Sequence, residues 1–469
     1  MTSPSVTEAQ AWELASWDSV ETLKRLRTRE VSASEVVEAA IVRSERAAKL
    51  NAIVTPTLDR ARADALRRTG PLAGVPMFTK DLVQVAGVRT AWGSAGAGHF
   101  ISSKNDPSVN ALERLGLVSL GKSATPEIGL TATTEPLAFG PTLNPWDLTR
   151  TTGGSSGGAA ALVASGVVPM SHASDGGGSI RIPASCCGLV GLKPSRGRFD
   201  MEGSPSLPVN VAVHGMVTRT VRDTVEFWRA YTATVPSKLP PISVVNPAPL
   251  KPLRISMVTT APRDVPIDPE VLAALDDVAR RLERLGHHVE PAPCPWSQDD
   301  LDDFLALWGF LGFVHQKLGR VLFHRDFDTA QLDPWTHALS KHFSNSKWDA
   351  AKRLRRLRRF SQTFAETMAT RDLFLMPTLA LVPAVIGHLK TDAVPFEEML
   401  WRLTKTVPFT GMVNAAGTPA ISLPLGRTAS GLPIGIQFAA AMGKEQLLLE
   451  LALQLEADAP WPLLAPRPG

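Results

Sequence analysis

The sequence contains few cysteines, and their placement excludes two kinds of structural support. Three cysteines in 469 residues are too few for a disulfide framework, and two of them, Cys186 and Cys187, are adjacent. No Cys-x-x-Cys pair or paired Cys/His spacing occurs, so the sequence predicts no zinc site. Unpaired cysteines are typical of a reducing compartment, and we therefore expect a cytoplasmic protein.

Long apolar runs and a strong charge of one sign are also missing. Residues 1–17 lack the apolar stretch of a secretory signal, and the longest dense apolar run, residues 304–314, is too short for a membrane span. The net charge is only +4, which predicts neither a nucleic-acid partner nor binding to anionic lipid. The basic run from Lys352 to Arg359 has leucines at helical spacing, which favours a solvated helix face over a nucleic-acid site.

Helical and strand-like patterns alternate along the chain, which predicts an α/β fold with a buried sheet. Capping signals at Ser32 and Asp268 predict helix starts, and residues 299–370 are expected to be mostly helical. Six prolines between residues 236 and 252 predict a linker that either separates two lobes or connects parts of one sheet. Strands are expected at residues 52–55, 117–120, 253–258, 373–376, 420–423 and 434–438.

Two short motifs match known patterns but stand in the wrong context. Residues 116–123 fit the P-loop, which requires a strand before its first glycine and a helix after its last serine. Here residues 117–120 themselves predict a strand. Residues 153–157 fit the G-x-S-x-G nucleophile elbow, but the preceding residues 144–152 are polar and predict a turn where a strand is required. We therefore reject nucleotide binding and an α/β-hydrolase.

Two segments rich in glycine and serine flank a stretch of small residues. Gly153–Gly158 leads into residues 159–164, and residues 175–181 place three consecutive glycines before Ser179. The bare amides of such glycines can converge on one point, as an oxyanion hole requires. Either segment alone is typical of a flexible loop. Together they favour a catalytic site in which a serine hydroxyl needs a base.

These segments resemble, in order along the chain, the sequence blocks of the amidase signature family. The resemblance implies one amidase signature domain over residues 1–469, with a mixed β-sheet flanked by helices on both faces. It implies no metal and no organic cofactor. The matching segments are residues 74–81, which resemble the block with the family's catalytic lysine, and residues 153–158, 175–194, 215–223, 372–378, 414–419 and 431–437.

The resemblance also implies a Lys–Ser–Ser triad. Ser179 would be the nucleophile, Ser155 the bridging hydroxyl and Lys80 the base. In the family, the counterpart of Ser155 follows a cis peptide bond. The oxyanion would be held by the amides of Gly176, Gly177, Gly178 and Ser179.

Several neighbouring residues are expected to support this site. His172 either contacts substrate or is a structural histidine with satisfied hydrogen bonds. Gly176 stands where the family often has a larger residue, which predicts a wider oxyanion side of the pocket. Hydrogen-bonded braces are expected at Asp175, Arg181 and Ser156.

Within the family, the sequence looks most like the branch that includes 6-aminohexanoate cyclic dimer hydrolase. The segments that carry this likeness are residues 133–136, 144–146 and 171–175. The resemblance implies a serine hydrolase that cleaves small apolar or aryl amides, or amide oligomers, through an acyl-enzyme. Carbamates (urethanes) and aryl esters remain open as substrates of the same triad. By analogy, the acyl pocket would be lined near Gly129 to Thr133 and by residues from the helical region 299–345. Residues 304–314, with aromatic residues such as Phe304, form a pocket wall, a cap over the substrate or membrane, or only core.

The family also contains the A subunit of the tRNA-dependent glutaminyl amidotransferase. That subunit carries a Ser-Ser-Leu-Asp-Gln type loop after the nucleophile block, and residues 210–215 lack it. We therefore expect a small-molecule amide as the partner of the site. Whether the protein forms a homodimer stays open.

Overall fold

The structure is a computed structural model that describes residues 6–199, 209–243 and 250–466. Within these ranges the chain forms fifteen α-helices and thirteen β-strands. The helices are α1 (Glu8–Ala15), α2 (Ser19–Thr28), α3 (Ala33–Arg46), α4 (Leu58–Arg67), α5 (Pro107–Arg114), α6 (Gly157–Ala164), α7 (Arg181–Cys187), α8 (Val221–Thr234), α9 (Pro269–Arg284), α10 (Gln298–Leu322), α11 (Pro334–Asn345), α12 (Lys347–Thr367), α13 (Phe396–Thr406), α14 (Gly411–Ala416) and α15 (Glu445–Asp458). The strands are β1 (Ile53–Pro56), β2 (Pro76–Lys80), β3 (Val118–Ser123), β4 (Leu143–Asn144), β5 (Asp147–Thr151), β6 (Met170–Asp175), β7 (Val190–Lys193), β8 (Val213–Thr218), β9 (Arg254–Val258), β10 (His288–Ala292), β11 (Leu373–Pro377), β12 (Ala420–Arg427) and β13 (Pro433–Ala440).

An eight-stranded mixed sheet occupies the centre, in the order β10-β9-β11-β13-β12-β7-β8-β6. Strands β10, β9 and β11 pair in parallel, and the other neighbours pair antiparallel. Strands from both sides of the proline-rich segment therefore share one sheet, which is the second of the two arrangements that the sequence left open. Residues 244–249 of that segment lie outside the described residues.

Helices cover both faces of this sheet, as the family resemblance implies. Successive residues of a strand point to opposite faces, and β11 shows the consequence. Leu373 and Leu375 belong to the hydrophobic cluster that contains α8, α9 and α15, whereas Phe374 and Met376 belong to the cluster that contains α12 and α14. The α/β fold with a flanked mixed sheet is thus confirmed.

A smaller sheet of order β1-β3-β2 lies beside the large one. Its edge strand β2 meets the edge strand β6 through side chains. The Ser171 hydroxyl donates to the Phe78 carbonyl at 3.0 Å, and the Lys80 N–H donates to His172 Nδ1 at 3.2 Å. This junction holds the last residue of β2 against the strand that leads into the second glycine-rich segment.

Local signals in the sequence correspond to the observed helix starts. The capping box at Ser32 is formed, since its hydroxyl accepts from the Glu35 N–H at 3.2 Å and its N–H donates to the Glu35 carboxylate at 2.8 Å. Asp268 caps α9, and residues 299–370 contain α10, α11 and α12. No helix among the described residues is long and apolar enough to cross a membrane.

The two rejected motifs adopt neither of the structures that their patterns require. Most of the P-loop match forms β3, and Lys122 pairs with Asp81 at 2.8 Å instead of pointing into an open loop. The turn predicted for residues 144–152 is wrong in part, because residues 147–151 form β5. That strand pairs with β4 outside the two larger sheets and ends at Thr151, so it does not lead directly into Ser155 as an elbow would.

Candidate active site

Lys80 ends strand β2 with its amine among serine hydroxyls. All five residues of β2 are buried, as the apolar neighbours of Lys80 in the sequence indicated. The Nζ atom lies 2.8 Å from the Oγ of Ser155 and 2.8 Å from the Oγ of Ser156. It also lies 3.1 Å from the Oγ of Ser174. The structure thus brings together two of the three residues of the implied triad.

The pKa of Lys80 is lowered to about 7, because complete burial disfavours the charged ammonium. Asp175 opposes this shift, since its negative charge stabilises the ammonium. An amine with such a pKa is present in both protonation states near neutral pH. It can therefore accept and return a proton under the same conditions.

Ser155 is held in a loop that has little space for side chains. The peptide bond between Gly154 and Ser155 is cis, as the family resemblance implies. On the other side of the hydroxyl lies Gly129, which has a φ of 71° and would place a Cβ 3.1 Å from Ser155 Oγ and 2.8 Å from Leu82. Any larger residue at position 129 would therefore crowd Ser155 in a backbone conformation that side chains disfavour.

The second glycine-rich segment connects β6 to α7 and carries Ser179. Among the described residues, the amides of Gly176, Gly177 and Ser179 have no hydrogen-bond partner in the protein, so they are available to an oxyanion. Gly178 differs from the sequence-based prediction. Its N–H donates to Asp175 Oδ1 at 2.7 Å, so this amide braces the loop instead of pointing at substrate.

Asp175 holds the loop in place through several donors, as predicted. Its carboxylate accepts from the N–H of Ile180 at 3.1 Å and from the Arg181 guanidinium at 3.0 Å. Asn414 of α14 donates to the same carboxylate at 2.9 Å. Burial alone would raise the pKa of Asp175, but the Arg181 charge and these hydrogen bonds hold it below its ordinary value. The carboxylate therefore remains charged and fixed.

Ser179 faces the cleft, with 8% of its surface exposed. Among the described residues no hydrogen bond joins its hydroxyl to Ser155, so the last contact of the implied triad is not formed in this structure. Hydrogen bonds of catalytic groups are often long in unliganded proteins and tighten when substrate binds.

The cleft beside Ser179 has about 860 Å³ of empty space and is open to solvent. Gly129 and Gly177 are among the residues that line it. Among the described residues that line it, only Arg263 and Asp302 are charged, and they pair with each other at 2.5 Å. The apolar side chains of the lining are Leu130, Ala132, Ile182, Leu301, Phe304, Leu305, Trp308, Leu400, Leu403, Val407 and Pro408.

The apolar run at residues 304–314 contributes to both the pocket wall and the core. Phe304 and Trp308 line the cleft and stack with ring centroids 4.8 Å apart. Leu307 is completely buried in the core. Phe310 and Phe313 pack against Phe343 of α11. Of the alternatives that the sequence left open, the run thus forms both pocket wall and core, through different residues.

Sequence reasoning missed a clamp between these helices and the loop 127–130. The Glu127 carboxylate accepts from the Thr336 hydroxyl at 2.6 Å and the Asp333 N–H at 2.8 Å, both at the start of α11. The Leu130 carbonyl accepts from the indole N–H groups of Trp308 and Trp335, each at 3.1 Å. Because Gly129 lies between these anchors, the pocket helices fix the loop that leaves no space for a side chain beside Ser155.

His172 does not line the cleft, so the structure does not place it in contact with substrate. Its ring is completely buried and bonds to the Lys80 backbone and to His214. Among the described residues, no group of three or more His, Cys, Asp or Glu side chains could hold a metal ion.

Comparisons with known proteins agree with the resemblance in the sequence. The family model described as Amidase matches residues 35–449. The chain is 42% identical over 454 residues to a putative amidase, AmiC, of Mycobacterium leprae (strain TN), with 96% of each chain covered. It is 34% identical over 494 residues to 6-aminohexanoate-cyclic-dimer hydrolase of Pseudomonas sp. (strain NK87), with 95% of each covered.

A solved structure of 6-aminohexanoate cyclic dimer hydrolase superimposes on this fold with a TM-score of 0.86 at 32% identity. The match covers 96% of this chain and 98% of that one. Sequence and fold therefore match over nearly the whole length of both proteins. The chain belongs to the amidase family, and it is a hydrolase that acts on amides.

Proposed function

We propose that this amidase cleaves the C–N bond of its substrate through an acyl-enzyme on Ser179, with Ser155 as the bridging hydroxyl and Lys80 as the base. The observation that carries the proposal is the buried Lys80 amine, with a pKa of about 7, in hydrogen-bond contact with Ser155. Residues 1–469 act together as a single amidase signature domain, because strands from both sides of the proline-rich segment share the central sheet.

The contacts of Lys80 favour one direction of proton transfer. A neutral amine has two N–H donors and one lone pair. The Ser156 hydroxyl donates to the Ser174 carbonyl at 3.3 Å, so its oxygen is free to accept from Lys80. Ser174 Oγ accepts the second N–H. The lone pair is then left for the hydroxyl proton of Ser155.

Acylation follows from this arrangement. Lys80 takes the proton of Ser155, which takes the proton of Ser179 as its oxygen attacks the carbonyl carbon. The carbonyl oxygen becomes negative and accepts from the amides of Gly176, Gly177 and Ser179. The C–N bond then breaks as Ser155 protonates the leaving nitrogen and regains a proton from the Lys80 ammonium. Water, activated by the same two residues, hydrolyses the ester on Ser179.

The lining of the cleft supports small apolar or aryl amides and amide oligomers as substrates. The stacked rings of Phe304 and Trp308 offer a flat apolar surface next to Gly177. Among the lining residues that the structure describes, the only two with a charge pair with each other, so none of them offers an unpaired charge to select an ionic group. Carbamates and aryl esters fit the same chemistry, since both have a carbonyl carbon that Ser179 can attack.

Turnover of a substrate panel tests the proposal. The panel contains anilides, short aliphatic amides, fatty amides, aryl esters and aryl carbamates, with Ser179→Ala as the control. We expect aryl and apolar amides to be cleaved, and activity to survive chelators. Cleavage of carbamates but not of matched amides would assign the enzyme to urethanes. Activity on glutamine only, in the presence of a partner subunit, would support the amidotransferase subunit instead. A complete loss in chelator that zinc restores would overturn the mechanism.

A further inference from the structure

Strand β6 reaches Lys80 at two points. His172 and Ser174 are two residues apart and therefore lie on the same face of the strand. His172 Nδ1 accepts from the main-chain N–H of Lys80, while Ser174 contacts its amine. The same strand continues through Asp175 into the loop with Ser179. The positions of Lys80 and Ser179 are therefore coupled through one strand.

The bond to Lys80 determines the tautomer of His172. Nδ1 accepts a main-chain N–H at 3.2 Å, so it carries no proton. The proton of the neutral ring is then on Nε2, which lies 3.0 Å from His214 Nδ1 and donates to it. His214 in turn carries its own proton on Nε2. A fixed chain of donors thus runs from the Lys80 amide through two imidazoles.

The surroundings keep both rings neutral. Burial and the nearby charges of Lys80 and Lys122, on β2 and β3, lower the pKa of His172 well below its usual value, and His214 on β8 adds to this effect. Burial also lowers the pKa of His214, to about 4. The two rings stack with centroids 5.2 Å apart, and Phe199 packs against His214. A neutral His172 is required, because a protonated Nδ1 could not accept from Lys80.

We propose that His172 is a positioning residue for Lys80. Its Nδ1 accepts the Lys80 N–H where a strand carbonyl would otherwise do so, at the junction of β2 and β6. His172 can do this only as the Nε2–H tautomer. The proposal rests on the proposed role of Lys80 as the base. Without this acceptor, the Lys80 amide would be buried and unsatisfied, the strand edges would separate, and water would reach the amine. Better hydration of the ammonium would make Lys80 a weaker participant at neutral pH.

The tautomer can be measured directly on the intact protein. Long-range ¹H–¹⁵N correlation spectra of protein labelled on histidine distinguish the two neutral tautomers, and His172→Asn identifies the signal of position 172. We expect the Nε2–H form to persist between about pH 6 and pH 8. A ring protonated on Nδ1, alone or in addition to Nε2, would overturn the proposal. This result does not depend on whether Lys80 is the base.

Two substitutions test the effect on Lys80. In His172→Asn the side-chain Oδ1 is attached to Cγ as Nδ1 is in histidine, so it can accept from the Lys80 amide, whereas His172→Leu cannot. We expect His172→Leu to lose about tenfold or more in kcat at unchanged KM, and His172→Asn to recover most of that loss. The acid limb of kcat/KM should move to higher pH in His172→Leu only.

The remaining outcomes are also decisive. If His172→Leu keeps the wild-type acid limb and kcat, position 172 does not act through Lys80 and the proposal is wrong. If His172→Leu does not fold, His172→Gln provides the comparison. The glutamine Oε1 is one bond farther from the backbone than Nδ1 of histidine, so this variant should also move the acid limb of kcat/KM to higher pH. If a variant that lacks Lys80 keeps the acid limb of the wild type, Lys80 is not the base. The tautomer measurement would still decide whether His172 accepts from the Lys80 amide.

Discussion

Two fully buried lysines have the same lowered pKa, but only one contacts the serines of the site. Burial lowers the pKa of Lys80 and of Lys193 to about 7. The Lys80 amine bonds to Ser155, whereas the Lys193 amine donates to the Pro194 carbonyl at 2.8 Å. Replacement of each lysine by methionine therefore separates the proton relay from the general effect of a buried amine.

The size of the effect follows from the fraction of Lys80 that is neutral. With a pKa of about 7, kcat/KM should fall to about half of its maximum at pH 7, about a tenth at pH 6 and about a hundredth at pH 5. Loss of a general base reduces the rate by about 10²–10⁴-fold, which is the decrease expected for Lys80→Met. Lys193→Met should keep both the rate and the acid limb.

Pre-steady-state release of 4-nitroaniline from an anilide measures acylation directly. A matched 4-nitrophenyl ester serves as the control, because its leaving group needs no proton. Lys80→Met should therefore reduce acylation by the anilide much more than acylation by the ester. A wild-type profile that is flat down to about pH 5 would remove Lys80 from the mechanism. So would an acid limb that disappears in Lys193→Met but remains in Lys80→Met.

The same pair of variants has a consequence for stability. An unfolded lysine keeps its proton up to about pH 10.4, whereas each folded lysine releases it near pH 7. Between these values the unfolded state binds more protons, so the free energy of unfolding rises with pH. The lowered pKa means that burial of each lysine costs free energy of unfolding at neutral pH. Lys193→Met removes the cost of Lys193 and should stabilise the protein at pH 7 by up to roughly 4 kcal/mol, less the contribution of the lost hydrogen bond. An unchanged Tm at pH 7 would contradict this.

Three further predictions concern the nucleophile, the pocket wall and the clamp. Ser179→Ala should abolish turnover with the fold intact and prevent labelling by a sulfonyl fluoride, and an adduct on Ser155 found by mass spectrometry would contradict the assignment. Trp308→Ala should raise the KM of aryl amides by about 10–100-fold relative to acetamide, from the lost apolar contact; equal changes for both substrates would place Trp308 outside the binding surface. Glu127→Gln should lower kcat by about tenfold with little change in KM, because the amide nitrogen cannot accept from the Ser94 hydroxyl, which donates to the second carboxylate oxygen of Glu127 at 2.7 Å; a selective KM effect would refute the clamp.

The features that the sequence predicted are those that depend on residues close together in the chain. The block around Lys80 is apolar, and β2 is accordingly buried throughout. Capping signals at Ser32 and Asp268 act within one helical turn, so they can be found without knowledge of the fold. Lys80, Ser155 and Ser179 were assigned by resemblance, because each stands in a sequence block that matches the family, and the blocks occur in the same order along the chain. Gly178 shows the limit of this approach: its place among three glycines predicts a free amide, but the orientation of Asp175 decides which amide is used.

The contacts that could not be predicted join residues far apart in the chain. Glu127 and Thr336 are 209 positions apart, and Leu130 and Trp308 are 178 positions apart. A hydrophobic pattern indicates that such residues are buried, but it does not identify which distant group each one meets. The helical segment after residue 298 has no motif of its own, so the sequence left open whether its aromatic residues form a pocket wall, and it gave no sign of the anchors on the loop 127–130.

This arrangement links substrate choice to catalysis. Trp308 forms part of the pocket surface, and its indole N–H also bonds to the Leu130 carbonyl. Gly129 lies directly before Leu130, and a Cβ at this position would come within 3.1 Å of Ser155 Oγ. A substitution that reshapes the wall at Trp308 therefore also releases one of the two donors that hold this loop, whereas a substitution at Phe304 removes no hydrogen bond from the loop. Specificity changes at position 304 should consequently appear in KM, and those at position 308 should appear in both KM and kcat.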